Sequence, residues 1–321
     1  MFFIHGVKPA AGFAGEPPGR WQLADDELDR QLDVLTRYYE FVTPEAALEI
    51  LDGTRTTAKP PALFTIDDGY TSAHRLAWPV LKKHNVPTIV FVVTGKFSDT
   101  TPFWWDRLDY AFLHADPSLE YIQFGPESVT VKMGTRQQRA NSARHVTRLS
   151  RKLFPDELER QRQLLALIEQ LEQPDTEKQL DDWCGIMPPD EIIAADKDGL
   201  AIGSHSVNHY QLGQLSGDIL NQELVDSRAA VESLLQKECR FLCFPEGSAN
   251  ENAARAAERA GYSAAFSSAK GRNSGTTDRF LLKRIHLPEQ ASAAELAVLA
   301  SGLSDALSRL RKRFAGKAKA A

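Results

Sequence analysis

Cysteine is scarce in this 321-residue chain. Only Cys184, Cys239 and Cys243 are present. Their spacing offers no disulfide framework, and no second pair joins Cys239 and Cys243 to complete a zinc site. Free thiols in a reducing compartment are therefore expected. Excess positive charge is also absent. A net charge of -5 excludes the basic footprint of a general nucleic-acid binder. No apolar run reaches the ~18 residues of a membrane span. The start, Met1 to Val7, has neither the basic n-region nor the long apolar stretch of a secretory signal. The expected location is cytoplasmic, with the inner membrane surface as a second place reached through basic stretches. No internal repeat or low-complexity tract is visible.

What the chain does have is β-α rhythm. Leu63 to Ile66 is apolar and β-prone, and it runs into Asp67-Asp68-Gly69-Tyr70. A strand that ends so delivers two carboxylates to the rim of a sheet, the end at which sites assemble in parallel α/β proteins. Phe2 to Val7 reads as a first strand, with His5 near its end. Helices are expected at 25–39, 44–51 and 76–84, and a buried strand at 87–93. Further strands are expected at 200–203, 241–244, 264–266 and 280–285. Helices at 217–236, 250–260 and 293–314 separate or follow them. Strands alternating with helices favour a parallel sheet with crossover helices.

Residues 104–182 interrupt the rhythm. Trp104, Trp105, Leu108, Tyr110 and Phe112 precede a candidate hairpin, 121–133, and then a long helix-favouring stretch, 136–172. We expect one domain over 1–321 with a mainly helical insertion at 106–180 that covers or flanks the cleft. Seven Lys or Arg and no acid lie between Lys132 and Lys152. Such a stripe suits an anionic ligand, a membrane surface or plain solvent. A second basic stretch, Arg309 to Lys319, closes the chain.

Gly203-Ser204-His205-Ser206-Val207-Asn208-His209 follows another short strand. If the backbone turns into helix there, the two imidazoles share a face and can share a metal. Imidazole plus carboxylate suits zinc and related divalent ions. Three protein ligands leave a coordination position open, and a metal so held lowers the pKa of a water toward neutrality. Of two adjacent aspartates, one can serve the metal while the other serves as general base.

Thr65-Ile66-Asp67-Asp68-Gly69 and His205-Ser206-Val207-Asn208-His209 resemble the first two motifs of the polysaccharide deacetylases, carbohydrate esterase family four. Ile4-His5-Gly6-Val7, Pro79-Val80-Leu81-Lys82-Lys83, Phe103-Trp104-Trp105, Phe244-Pro245-Glu246-Gly247 and Lys283-Arg284-Ile285 are similar to bacterial members too. The resemblance implies a distorted (β/α) barrel with an incomplete strand count. It also implies a metal-dependent hydrolase that removes N-acetyl groups from an amino sugar in a polysaccharide, oligosaccharide or glycolipid. By the same resemblance Asp67 is the general base, Asp68, His205 and His209 hold one divalent metal (zinc first, then cobalt or nickel), and His286 is the general acid. The Pro245-Glu246 turn supplies an oxyanion donor through the Glu246 amide, and the Glu246 side chain reads a substrate hydroxyl or amine.

The third motif departs from the family pattern Arg-x-Pro-Tyr-Gly: Cys243 stands where an arginine orients the base. The acidic, Trp-containing fourth motif is not recognisable in 267–278. These departures motivate an alternative, a catalytically impaired carbohydrate-binding relative. A deformylase or O-deacetylase of the same fold is a further one.

Overall fold

The computed structural model describes residues 1–13, 22–171, 180 and 184–301. The parts of the expected elements at 302–314, the basic stretch 309–319 and most of 172–183 lie outside the described residues. The strand β1 (Phe2–Ile4) leads through His5 into β2 (Gly6–Lys8), which pairs with β3 (Gln22–Ala24). The helix α1 (Asp25–Tyr38), β4 (Glu40–Phe41), α2 (Pro44–Leu51) and β5 (Pro61–Ala62) bring the chain to β6 (Phe64–Ile66). Thr43 caps α2 through its side chain and Pro44 occupies the first turn, where its missing N–H costs nothing. A π-helical turn, Ala73–Ala77, enters α3 (Trp78–Lys83), and β7 (Thr88–Val92) follows.

Then comes the insertion: α4 (Trp104–His114), the antiparallel hairpin β8 (Tyr121–Phe124) and β9 (Glu127–Thr130), α5 (Arg136–Leu153) and α6 (Glu157–Leu171). Its core is separate from the barrel's, with Trp104, Leu108, Phe112, Phe124, Val146 and Leu164 packed together. The barrel resumes with helix Pro189–Lys197, β10 (Ala201–Ser204), helix Gly217–Leu235, β11 (Phe241–Cys243), helix Glu251–Arg259, β12 (Ala264–Lys270) and β13 (Leu282–His286). The last described helix is Ala293–Ser301. No described helix is long and apolar enough to cross a membrane.

Seven strands close the barrel in the order β1, β6, β7, β10, β11, β12, β13 and back to β1, all parallel. This is the expected (β/α) barrel, one strand short of eight. Successive side chains of a strand point to opposite faces, and here the alternation sorts two cores. Phe2, Ile4, Phe64, Ile66, Val90, Val92, Leu242 and Ile285 join the helices. Ile89, Phe91, Phe241, Cys243, Phe266 and Leu282 form the other cluster, inside the barrel. By the same alternation His5, Thr65, Asp67, Gly203, His205, Arg284 and His286 belong to the inner face. Gly203 is required for packing: a Cβ there would lie 2.7 Å from the Phe91 ring.

Candidate active site

The C-terminal ends of β1, β6, β10, β11 and β13 meet at one rim. Each contributes a polar side chain in the register that points inward. The result is a cavity of about 540 Å³ with His5, Asp67, Asp68, His205, His209, Glu246, Arg284 and His286 in its lining. Six of the seven residues expected at the site line it. The seventh, Pro245, is buried in the turn beneath, and without an N–H it cannot donate to an oxyanion.

Asp67 and Asp68 part company within one peptide unit. Asp68 adopts a left-handed conformation, φ +75°, which turns its side chain away from the strand alternation. Its Oδ1 lies 3.3 Å from His205 Nε2 and 3.4 Å from His209 Nε2. One ligand atom from each of the three residues lies within 4.8 Å of the other two.

The two imidazoles are brought together differently from the helical i, i+4 arrangement. Residues 205–209 form an irregular turn, with Ser206 at φ +66° and His209 at φ +56°. The turn is fixed from behind by Glu223, on the helix Gly217–Leu235. Its buried carboxylate accepts the Val207 and Asn208 amides at 2.9 and 3.0 Å and Asn208 Nδ2 at 2.6 Å. Ser206 Oγ accepts the His209 amide at 3.1 Å. From the other side Thr94 and Gly95 donate their amides to the Ser206 and Val207 carbonyls.

The tautomer of His205 follows from its partner. Nδ1 lies 2.7 Å from the Cys243 carbonyl, which only accepts, so Nδ1 carries the proton. In the neutral ring Nε2 is then a lone pair aimed at the Asp68 carboxylate. A buried carboxylate 3.3 Å from that nitrogen calls for a cation between or beside them, either a metal ion or a second proton on the ring. The spacing suits a metal ion. Ligands at ~2.0–2.1 Å from a tetrahedral zinc are about 3.3 Å apart. His209 Nδ1 is buried without a hydrogen-bond partner among the described residues. The donor set therefore fits a divalent ion. A second group, Asp67, His205 and Cys243, has similar spacing, but its members are already engaged with one another or with Arg284.

Asp67 is held by Arg284. The guanidinium makes a bidentate pair at 2.7 and 2.8 Å, with both side chains almost fully buried. Its remaining contacts go to Thr65 Oγ1 at 2.9 Å, the Ser267 carbonyl at 2.9 Å and Cys243 Sγ at 3.0 Å, and it sits 4.2 Å from the centre of the Phe3 ring. Burial works to raise the Asp67 carboxyl, but the Arg284 charge and hydrogen bonds outweigh it and hold the group below the usual carboxylate range. Burial pushes the Cys243 thiol well up, so it stays neutral and donates to Asp67 Oδ1 at 3.6 Å. The arginine missing from position 243 is thus supplied by β13. Asp67 is not left without a guanidinium, which answers one of the two departures that motivated an impaired site. The segment Lys283-Arg284-Ile285 is family-like in sequence, but its residues alone assign Arg284 no role. The available signal was a lone arginine on an apolar strand, in register with His286.

His286 closes the strand and packs on Phe3, ring centres 4.9 Å apart, with the His5 ring 5.7 Å away. Burial, then the neighbouring His5, pushes its imidazole down to about 4, so it is neutral at pH 7. Glu246 is at φ +52° in the turn after β11. Its carboxylate is not free to read a substrate. Arg151 Nη2 reaches it at 2.7 Å, Gln211 Nε2 at 2.7 Å and Arg160 Nη2 at 3.3 Å. Glu246 thereby ties the barrel rim to α5 and α6.

The insertion supplies the opposite wall. Trp104, Trp105, Asp109, Ala140, Arg144 and Arg151 line the same cavity. The Trp105 ring lies 4.5 Å from that of His209, and its Nε1 donates to Tyr70 Oη, which donates to Asp106.

A parallel barrel whose rim gathers a paired aspartate, an Asp-His-His cluster and a further histidine defines a hydrolase-type cleft of the deacetylase fold. The profile of the polysaccharide deacetylase family matches residues 54–265, more than half of the chain. The chain belongs to the polysaccharide deacetylase family, a family of hydrolytic deacetylases. YxkH of Bacillus subtilis (strain 168), which bears the same family name, is 20% identical over 249 residues. The match covers 78% of this chain but 59% of that protein, so the chain spans well under two thirds of this relative's length. Among solved structures, the deacetylase PplD of Streptococcus pyogenes, determined with acetate, superposes with a TM-score of 0.60 at 17% identity. That match covers 92% of this chain and 94% of the other. IcaB from Ammonifex degensii gives 0.56 at 18% identity, covering 94% and 96%. At these identities the likeness is one of fold.

Proposed function

We propose that this protein is a metal-dependent deacetylase that removes the acetyl group from an N-acetylated amino sugar, within a polysaccharide, oligosaccharide or glycolipid. The observation that carries the reading is the convergence of Asp68 Oδ1, His205 Nε2 and His209 Nε2, three buried atoms at ligand spacing. Asp68, His205 and His209 hold the cation, zinc by the nature and number of the donors. When bound there, a divalent ion polarises a carbonyl and makes a water more acidic.

The remaining roles fall to the chain itself. Asp67, kept anionic and oriented by Arg284, takes a proton from the water that attacks the acetyl carbon. The carbon–nitrogen bond then breaks, and the departing amine needs one proton. The proton gained by Asp67 is the one available. His286, neutral and in the same cavity, is placed to relay it to the nitrogen. The turn at Glu246 offers backbone amide character where the carbonyl oxygen gains charge. Trp104 and Trp105 give an apolar wall for the sugar ring or the acetyl methyl.

The test is acetate release from a panel of N-acetyl sugars, with and without added zinc, alongside metal analysis of wild type and His205→Ala. We expect zinc-dependent acetate release and loss of bound metal in the variant. Equal metal content in the two proteins would refute the ligand assignment.

A further inference from the structure

The basic stripe of α5 does not act as one surface. Arg139 turns inward and donates to the Phe112, Leu113 and Ala115 carbonyls, capping the C-terminus of α4. Arg136, Arg148 and Lys152 are exposed and do not line the cavity. Arg144 and Arg151 line it. They are seven residues apart, hence on one face of the helix and ~10.5 Å apart along its axis. The stripe thus places two guanidiniums on the wall opposite the catalytic rim.

Arg151 is paired with Glu246 at 2.7 Å, but the acids of the cavity do not absorb the charge of Arg144. Asp67 is committed to Arg284, and Asp68 faces the two histidines. Glu246 is shared by Arg151 and Arg160. Asp109 has interactions of its own. The sole hydrogen bond of Arg144 among the described residues goes to a neutral group, Asn141 Oδ1, at 2.7 Å. A half-buried guanidinium with no carboxylate partner among the described residues, in a cavity shared with the reacting groups, is a ready oxyanion site. The planar fork of arginine suits phosphate and carboxylate in particular.

We propose that Arg144 forms a subsite for an oxyanion carried by the substrate. Resting on the deacetylase reading, this narrows the substrate to an N-acetylated amino sugar bearing a phosphate or carboxylate group, in preference to a neutral one. The acetamido group lies toward Asp67 and Asp68, and the anionic group toward α5.

The experiment is calorimetric binding of three probes to the full chain: N-acetylglucosamine, N-acetylglucosamine 1-phosphate and N-acetylmuramic acid. Proteins are wild type, Arg144→Gln, and Arg148→Gln as a control of equal charge change outside the cavity. We expect wild type to bind at least one anionic probe about tenfold more tightly than the neutral sugar, ~1.4 kcal/mol. Which anion is preferred separates phosphate from carboxylate. Arg144→Gln should lose most of that preference and Arg148→Gln should keep it. The preference should also shrink as salt is raised. No preference for either anionic probe in wild type, or equal losses in the two variants, overturns the subsite. Acetate release is read separately. Preferential binding without acetate release would leave the subsite standing and refute the reaction. Acetate release without preferential binding would do the reverse.

Discussion

Replacing Arg284 by methionine removes the guanidinium that holds Asp67, at similar side-chain length. Both members of the pair are almost fully buried, so the variant leaves a carboxylate without its charge partner in the barrel. Breaking a buried pair from one side costs about 3–5 kcal/mol. The pH dependence of the loss is more telling than its size. In the wild type Asp67 is held below the carboxylate range. Its contribution to stability is present above the unfolded-state pKa of ~3.9 and fades as pH falls through the lower folded value. In Arg284→Met burial dominates, and the folded pKa moves above the unfolded one. The folded state then binds the extra proton, so stability falls as pH rises through that window. Acidification from pH 7 toward pH 5 should therefore stabilise the variant relative to wild type, by up to ~1.4 kcal/mol for each pH unit by which the folded pKa exceeds 5. Chemical unfolding at pH 5, 6 and 7, with metal held constant, measures both effects. Acetate release at pH 7 should drop by about a hundredfold, since the base is both misoriented and partly protonated. Equal stability of the two proteins at pH 7, or parallel pH trends, would refute the account of how Asp67 is kept ionised.

Asp67→Asn should abolish turnover by ~10²–10⁴-fold while metal stays bound. Asp68→Asn should weaken metal affinity and be partly rescued at high metal concentration, so rescue of the first and not the second in a metal titration would reverse the two roles. Glu223→Ala should release the 205–209 turn and weaken metal binding by about 10–100-fold, as read by competition with a chelator; unchanged affinity would show that the turn holds its shape without Glu223. His286→Gln should lower kcat with little change in bound metal, and an unchanged kcat would remove it from the proton path. With metal kept saturating at every pH, the kcat/KM profile should show its acid limb below the ordinary carboxylate range, because Asp67 is held low by Arg284; a limb near pH 6 that persists as metal is raised would point to another base.

Much of this was legible in the chain because the signals are local. The run Leu63–Ile66 ending in two aspartates, and the strand ending at Ser204-His205, each state their own place on a rim. The alternation of strands and helices states that the rims coincide. What escaped was non-local. From sequence Glu246 is a carboxylate that reads a substrate hydroxyl or amine, since nothing near it in sequence reveals Arg151 and Arg160, 95 and 86 residues away, as its partners. The histidine pair suggested a helix because i and i+4 fall on one helical face. The turn that forms instead needs two left-handed residues and a carboxylate from another helix, none of which a five-residue motif contains.

The arginine of the base is the sharpest case. A motif read by position finds Cys243 and concludes that the guanidinium is missing. The inside of a closed barrel imposes a different requirement: some chain must fill the space beside Asp67 with positive charge. β11 and β13 are separated only by β12, and their inward side chains converge, as the 3.0 Å contact between Arg284 Nη2 and Cys243 Sγ shows. An arginine on β11 at position 243 is therefore expected to reach the same carboxylate, provided that β13 offers a small side chain. Cysteine at 243 meets the converse condition for Arg284 and adds a neutral donor to Asp67. The two positions therefore act as one volume, and arginine at both would overpack it and set two buried cations against one anion. Cys243→Arg should accordingly destabilise the wild type, yet be better tolerated in an Arg284→Cys background, where it restores one guanidinium to the pair. Unfolding free energies of the two single variants and the double variant measure the coupling. Additive losses, with no recovery in the double variant, would show that position 284 holds something that position 243 cannot replace.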